Sequence, residues 1–159
     1  MKSCSGKLDL TMGGPGIEQF AKSKGPQATP NLDYAGFDWT KPEAARRSIY
    51  RVVWRGIPDP FMESLDFPDL ALLTPKRDRS VSALQSLALY NNDFTLHASQ
   101  WFAERIEREG GGVPRAVELA FQREATAAET EEFETFVDQL GMAAFCRVLL
   151  NSNEFLFVD

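Results

Sequence analysis

The feature that most constrains this chain is where its glycines and prolines fall. Residues 1–41 hold six Gly and three Pro, and four more prolines stand from Pro58 to Arg79, Pro58 included. Proline fixes φ and removes a backbone donor, and glycine tolerates positive φ, so neither stretch can be regular structure throughout. Met12-Gly13-Gly14-Pro15-Gly16 must be a turn or loop. The second half is different: apolar residues recur there at helical spacing, and caps and breakers separate the runs.

The pattern predicts an all-α chain, a single bundle of about five or six helices. Residues 1–41 form an extended arm packing on the domain through Phe20, Leu32, Tyr34, Phe37 and Trp39. Residues 42–159 form the helical domain, with a proline-rich irregular loop over 57–79. Pro42 and Glu43 suit a helix start that runs to about Arg55, with Arg47, Arg51 and Arg55 at i, i+4, i+8. Ile49–Trp54 is also good strand material, so both readings stay open there. Asp78 or Ser80 caps a helix through Tyr90, with Val81, Leu84, Leu87 and Ala88 facing inward. Asn91-Asn92-Asp93 breaks it and starts a helix over about 94–109, which ends at Gly110-Gly111-Gly112. A short helix follows Pro114. Thr126-Ala127-Ala128-Glu129 is a capping box for a helix with Phe133, Phe136, Val137 and Leu140 inward. After Gly141, the residues Met142, Phe145, Cys146, Leu149 and Leu150 make the last apolar stripe. The ending Phe155-Leu156-Phe157-Val158-Asp159 is too apolar to sit in water.

Charge is distributed unevenly. Residues 41–79 are net +2, and residues 80–159 carry five Arg against thirteen acids. An acidic half lacks the concentrated positive charge that phosphate backbones require, so nucleic acid is a poor partner. No apolar run approaches the roughly 18–20 residues that span a bilayer. Residues 1–7 lack the apolar segment of an export signal.

Several motifs together resemble one family. They are Ser5-Gly6-Lys7-Leu8, Met12-Gly13-Gly14-Pro15, Arg46-Arg47-Ser48-Ile49-Tyr50, Pro58-Asp59-Pro60-Phe61, Asp66-Phe67-Pro68-Asp69 and Leu73-Thr74-Pro75-Lys76-Arg77. Ser82-Ala83-Leu84-Gln85, Asn91-Asn92-Asp93-Phe94 and Leu149–Phe155 continue the series. The chain resembles the C-terminal domain of unknown function of large secreted planctomycete proteins, over nearly its whole length. The resemblance implies a periplasmic or extracellular setting, upstream cytochrome-c-like modules that hold haem, and those upstream domains as partners. In that family a helix usually precedes the Ser-Gly-Lys-Leu motif. Here Met1 stands four residues ahead of it, so the chain resembles a truncated C-terminal piece.

The residues bound the chemistry. The chain has no Cys-x-x-Cys-His for haem attachment, so no cofactor is expected in it. His97 is its sole histidine, read as structural beside Phe94 and Trp101. No zinc set is present, and Asp59, Glu63, Asp66 and Asp69 fit no calcium-loop template. Cys4 and Cys146 are far apart, with Cys146 on an apolar stripe. Glu129, Glu131, Glu132 and Glu134 read as a solvated face.

A ligand site or structural network is expected among Arg46, Arg47, Arg51, Arg55, Asp59, Asp66, Asp69, Arg77, Asn91, Asn153 and Glu154. In the structural version the arginines hold the loop carboxylates and the polar ends at Asn91 and Asn153-Glu154. In the ligand version they form an anion-binding stripe. The first functional reading is a non-catalytic interaction module. The alternative is part of an enzyme or binder acting on an extracellular, anionic polysaccharide, and a two-carboxylate mechanism stays open.

Overall fold

The computed structural model describes residues 1–26, 29–68 and 82–157. Asp69, the Leu73–Arg77 motif, Val81 and the caps expected at Asp78 or Ser80 lie outside the described residues. The chain divides into two compact units, Asp9–Ala88 and Met1–Leu8 with the chain from Leu89 onward. The arm expected over 1–41 is therefore divided at Leu8. Seven helices occur among the described residues, against one two-stranded sheet, so the all-α expectation holds.

The C-terminal unit is the helical bundle. It contains α3 (Asp93–Glu109), α4 (Gly112–Phe121), α5 (Ala127–Leu140), α6 (Met142–Asn151) and α7 (Asn153–Leu156). Ala98, Phe102 and Ile106 of α3 share a buried cluster with Phe145, Cys146, Leu149 and Leu150 of α6, and α4 adds Val113, Ala116 and Val117. Their spacing of three and four residues places each set on one face, and burial stabilises by about 1.5–3 kcal/mol per large side chain. Helix starts follow local chemistry. The Asn92 side chain accepts the Phe94 N–H, and Thr126 and Glu129 form the expected reciprocal capping box. Phe133, Phe136 and Val137 pack against the core as expected, but Leu140 is exposed. It is the last residue of α5, at the Gly141 turn into α6.

Residues 1–8 belong to this unit for a physical reason. Met1 and Cys4 pack on the core, and Arg105 of α3 donates to the carbonyls of Ser3 (3.1 Å) and Cys4 (2.8 Å). Gly6 sits at φ +70, and a Cβ there would stand 3.2 Å from the Arg105 Cδ. The Ser5-Gly6 motif is thus a turn shaped around an arginine side chain.

In the other unit, β1 (Ala21–Ser23) pairs antiparallel with β2 (Asn31–Asp33), with Lys22 opposite Leu32. Phe20 and Phe37 are buried, edge-on to Tyr34 and Trp39 at 5.4 and 4.9 Å between ring centres. The helix expected over 42–55 is not formed. Two short 3-10 turns, Pro42–Ala45 and Ser48–Tyr50, alternate with extended Arg46 and Arg51. The Ala45 and Tyr50 carbonyls accept N–H groups of the arm and the Val52 N–H donates to it, an option that local periodicity cannot register. The expected irregular loop contains one helical turn, α1 (Pro60–Ser64), because Asp59 accepts the Phe61 N–H at its start. In α2 (Ala83–Asn91) the expected inward stripe does not form: Leu84 and Leu87 are exposed and Leu89 is buried. Apolar residues on every side of α2 leave periodicity no preferred face.

Candidate functional site

The arm and the arginine motif build one structure together. Parallel bridges join Asp9 to Arg46 and Ile17 to Arg51. The Ile17 N–H donates to the Tyr50 carbonyl (2.7 Å) and the Val52 N–H to the Ile17 carbonyl (2.8 Å). Between the bridges the arm runs through more residues than its partner, so Met12–Gly16 loops out. Gly13 and Gly14 take φ of +78 and +86 there, which only glycine adopts without strain.

Arg46 fills this loop. Its guanidinium donates to the carbonyls of Pro15 (3.1 Å) and Gly13, and lies 3.9 Å over the Tyr50 ring. The Tyr50 hydroxyl accepts the Gly13 N–H at 2.8 Å. Arg47 reaches the Met12 sulfur at 3.1 Å. Two motifs more than thirty residues apart are thus the two halves of one contact. A planar cation with several fixed donors suits this arrangement of carbonyls and ring face, and a lysine would not.

Arg51 and Asp59 form an ion pair, each side chain about 10% exposed. Asp59 also accepts the Phe61 N–H at 2.8 Å, so one carboxylate both neutralises the arginine and starts α1. Burial pushes the Arg51 guanidinium below its ordinary value, with the Tyr34 phenol working against that shift. Tyr34 donates to the Ile57 carbonyl at 2.5 Å, and burial pushes its own phenol up. Loss of one partner from such a pair would leave a desolvated charge, which makes the pair a structural lock.

Beyond the lock lies a groove of about 290 Å³, lined by Val53, Trp54, Arg55, Pro58, Glu63, Phe67 and Pro68. Asp66, at φ +54, turns the chain from α1 into its Phe67-Pro68 wall. Arg55 and Glu63 are exposed, and neither joins an ion pair among the described residues. Lys22 lies 5.7 Å from the centre of the Trp54 ring.

The remaining candidates belong to the bundle unit and have other partners. Arg147 donates to the Tyr90 carbonyl (2.8 Å from Nε) and to the Asn91 side chain (3.2 Å), with its guanidinium 3.8 Å over the Tyr90 ring. Arg123 clasps Glu154 (2.6 Å) and Glu129 (2.7 Å) at once. It holds the Glu129 carboxyl down at about 2 and Glu154 below its ordinary value. Asn153 opens α7, and its carbonyl accepts the Phe157 N–H. The expected network thus resolves into separate clusters, with Arg46, Arg47, Arg51 and Asp59 in one unit and Asn91 and Glu154 in the other. Sequence reasoning missed Arg105, Arg123 and Arg147, whose carbonyl and carboxylate partners lie far along the chain.

His97 is half-buried with its ring 5.8 Å from that of Trp101. Cys146 is buried, and desolvation pushes its thiol up to about 12. Cys4 and Cys146 are both free. Among the described residues no group of three or more His, Cys, Asp or Glu is placed to hold a metal ion. No helix there is long and apolar enough to cross a membrane.

Neither a curated protein nor a solved structure matches the chain. The family PSD1, described as protein of unknown function (DUF1553), matches residues 1–137, which takes in the Asp9–Ala88 unit, part of the bundle unit and the motif series from Ser5 to Phe94. With most of its length matched, the chain belongs to the PSD1 (DUF1553) family.

Proposed function

We propose that this chain is a non-catalytic interaction module of a secreted, planctomycete-type multidomain protein, docking on other domains of its parent. One observation carries the reading: the motif arginines are engaged in holding the fold, while the segments they hold present large apolar side chains to water. Leu10, Met12 and Ile49 are 66%, 73% and 75% exposed. They stand on the two segments that Arg46 and Tyr50 tie together. Large exposed apolar side chains on a fixed backbone are the usual material of a protein interface. The periplasmic or extracellular setting and the haem-bearing neighbours enter this proposal through the family resemblance.

The glycan-binding alternative is weaker. Arg46 and Arg51 already have protein partners, and the stripe at helical spacing does not exist because the helix does not form. Among the described arginines of the motif, Arg47 reaches the Met12 sulfur and Arg55 joins no ion pair, too little for a continuous anion-binding stripe. Titration calorimetry of the chain with the upstream domains of its parent tests the proposal. It predicts binding with a negative heat-capacity change, the mark of apolar burial. Absence of binding, or binding without that change, contradicts it.

A further inference from the structure

The groove beside the Arg51–Asp59 lock is separate from the apolar segments around Met12 and Ile49. We infer that it takes an extended, proline-containing segment of a partner protein bearing one acidic and one basic side chain. The acid meets Arg55 and the base meets Glu63. The inference rests on reading the chain as an interaction module and names a partner class for it.

Three features favour this occupant. First, the walls are flat and stiff: Trp54 and Phe67 supply rings, and Pro58 and Pro68 supply apolar faces without backbone donors. Such surfaces suit a polyproline II segment, whose backbone is already extended and loses little freedom on docking. Second, the two polar side chains have opposite charge, are exposed, and join no ion pair among the described residues. A segment with complementary charges satisfies both, and the order of its charges fixes its direction in the groove. Third, the segments that supply the walls are already tied to the fold. The Arg51–Asp59 pair, the Tyr34 bond to the Ile57 carbonyl and the Phe67 N–H bond to the Met62 carbonyl (3.2 Å) hold the walls before a partner arrives. Preorganisation of this kind lowers the cost of association. At about 290 Å³ the groove is at the floor of the roughly 300–1,000 Å³ that encloses a small molecule, and it suits a strand lying across it. A glycan would call for several convergent hydrogen-bonding side chains around the indole, and the lining offers two.

The test uses the full chain and fluorescein-labelled decapeptides built on Pro-x-x-Pro. The peptides are flanked by Asp and Arg in either order, by one charge, or by none. Polarisation titrations are run on wild type, Arg55→Glu, Glu63→Arg and the double swap, with circular dichroism confirming that each variant folds. Both positions are exposed, so folding should be unaffected. The expected result is tightest binding by one charge order, weakened at least tenfold by either single reversal. The double swap should then prefer the opposite order. Equal binding of all peptides, or indifference to the reversals, overturns the inference. So does binding of cellohexaose that the variants abolish, since that assigns the groove to a glycan. Failure here leaves the module reading intact if the parent's upstream domains still bind wild type and both single variants alike. Failure of that binding altogether removes the module reading itself.

Discussion

At the residue scale, arginine does the work that a larger apolar core would do elsewhere. Arg46, Arg105, Arg123 and Arg147 each tie together residues far apart in sequence, and Arg51 neutralises a nearby carboxylate, through carbonyls, carboxylates or ring faces. Arg51 carries the strongest prediction because its partner is buried with it. Arg51→Ala should destabilise by about 3 kcal/mol or more, since Asp59 is left desolvated and uncompensated. Arg51→Met combined with Asp59→Leu should recover part of that loss, because no orphan charge remains. Urea unfolding of the three variants checks both statements, and a wild-type-like midpoint for Arg51→Ala would refute the lock. The sequence made Asp59 a candidate partner for this arginine group because loop carboxylates near a basic stretch are natural counter-charges. It could not show that Arg46 turns to carbonyls of a glycine loop more than thirty residues upstream, since carbonyls are present at every position.

Elements whose boundaries rest on neighbouring residues were legible. The capping box at Thr126–Glu129 and the Asn92 cap are short-range hydrogen bonds, and both helices start where their motifs require. The helix expected over 42–55 failed because its alternative depends on a distant partner: the bridges of Arg46 and Arg51 to Asp9 and Ile17 replace intrahelical bonds. The last helix starts at a local cap, where the Ser152 side chain accepts the Phe155 N–H, and a long-range contact ties it to the bundle. Arg123 joins Glu154 at the start of α7 to Glu129 at the start of α5. Both carboxyls titrate below the ordinary value near 4.5, Glu129 at about 2. A lowered folded value stabilises the native state above the unfolded value, and that contribution fades as pH falls. The stability difference between wild type and Arg123→Met should therefore be full at pH 7 and shrink between about pH 4.5 and 2. Thermal melts across that range check it; a gap independent of pH would contradict the clasp.

At the scale of the whole molecule, the all-α class was readable from the second half, where periodicity and punctuation agree. The grouping of residues 1–8 with the bundle was not, because Arg105 and the pocket under Met1 and Cys4 are assembled only in three dimensions. Thiol chemistry reports that assembly. Cys146 is buried with its thiol raised to about 12, whereas Cys4 is half-buried at the edge of the core. At pH 8 a thiol reagent should modify Cys4 first and Cys146 only as fast as the bundle opens. Mass spectrometry of partly labelled protein resolves the order, and comparable rates at both sites would contradict the packing. As for the site, the sequence named Arg46, Arg47, Arg51, Arg55 and Asp59 as candidates, because cations and a loop carboxylate stand close together along the chain. What it could not supply was the division of labour within it, with Arg46 and Arg51 turned inward and Arg55 left at the groove.

The proposed division of labour is that partnered arginines hold the fold while exposed apolar residues meet a partner. The most direct measurement is the affinity of the parent's upstream domains for wild type and for the Met12→Ser, Ile49→Asp double variant. The expected result is at least a tenfold loss of affinity, about 1.4 kcal/mol or more, with the melting temperature unchanged. An affinity equal to that of wild type would contradict it.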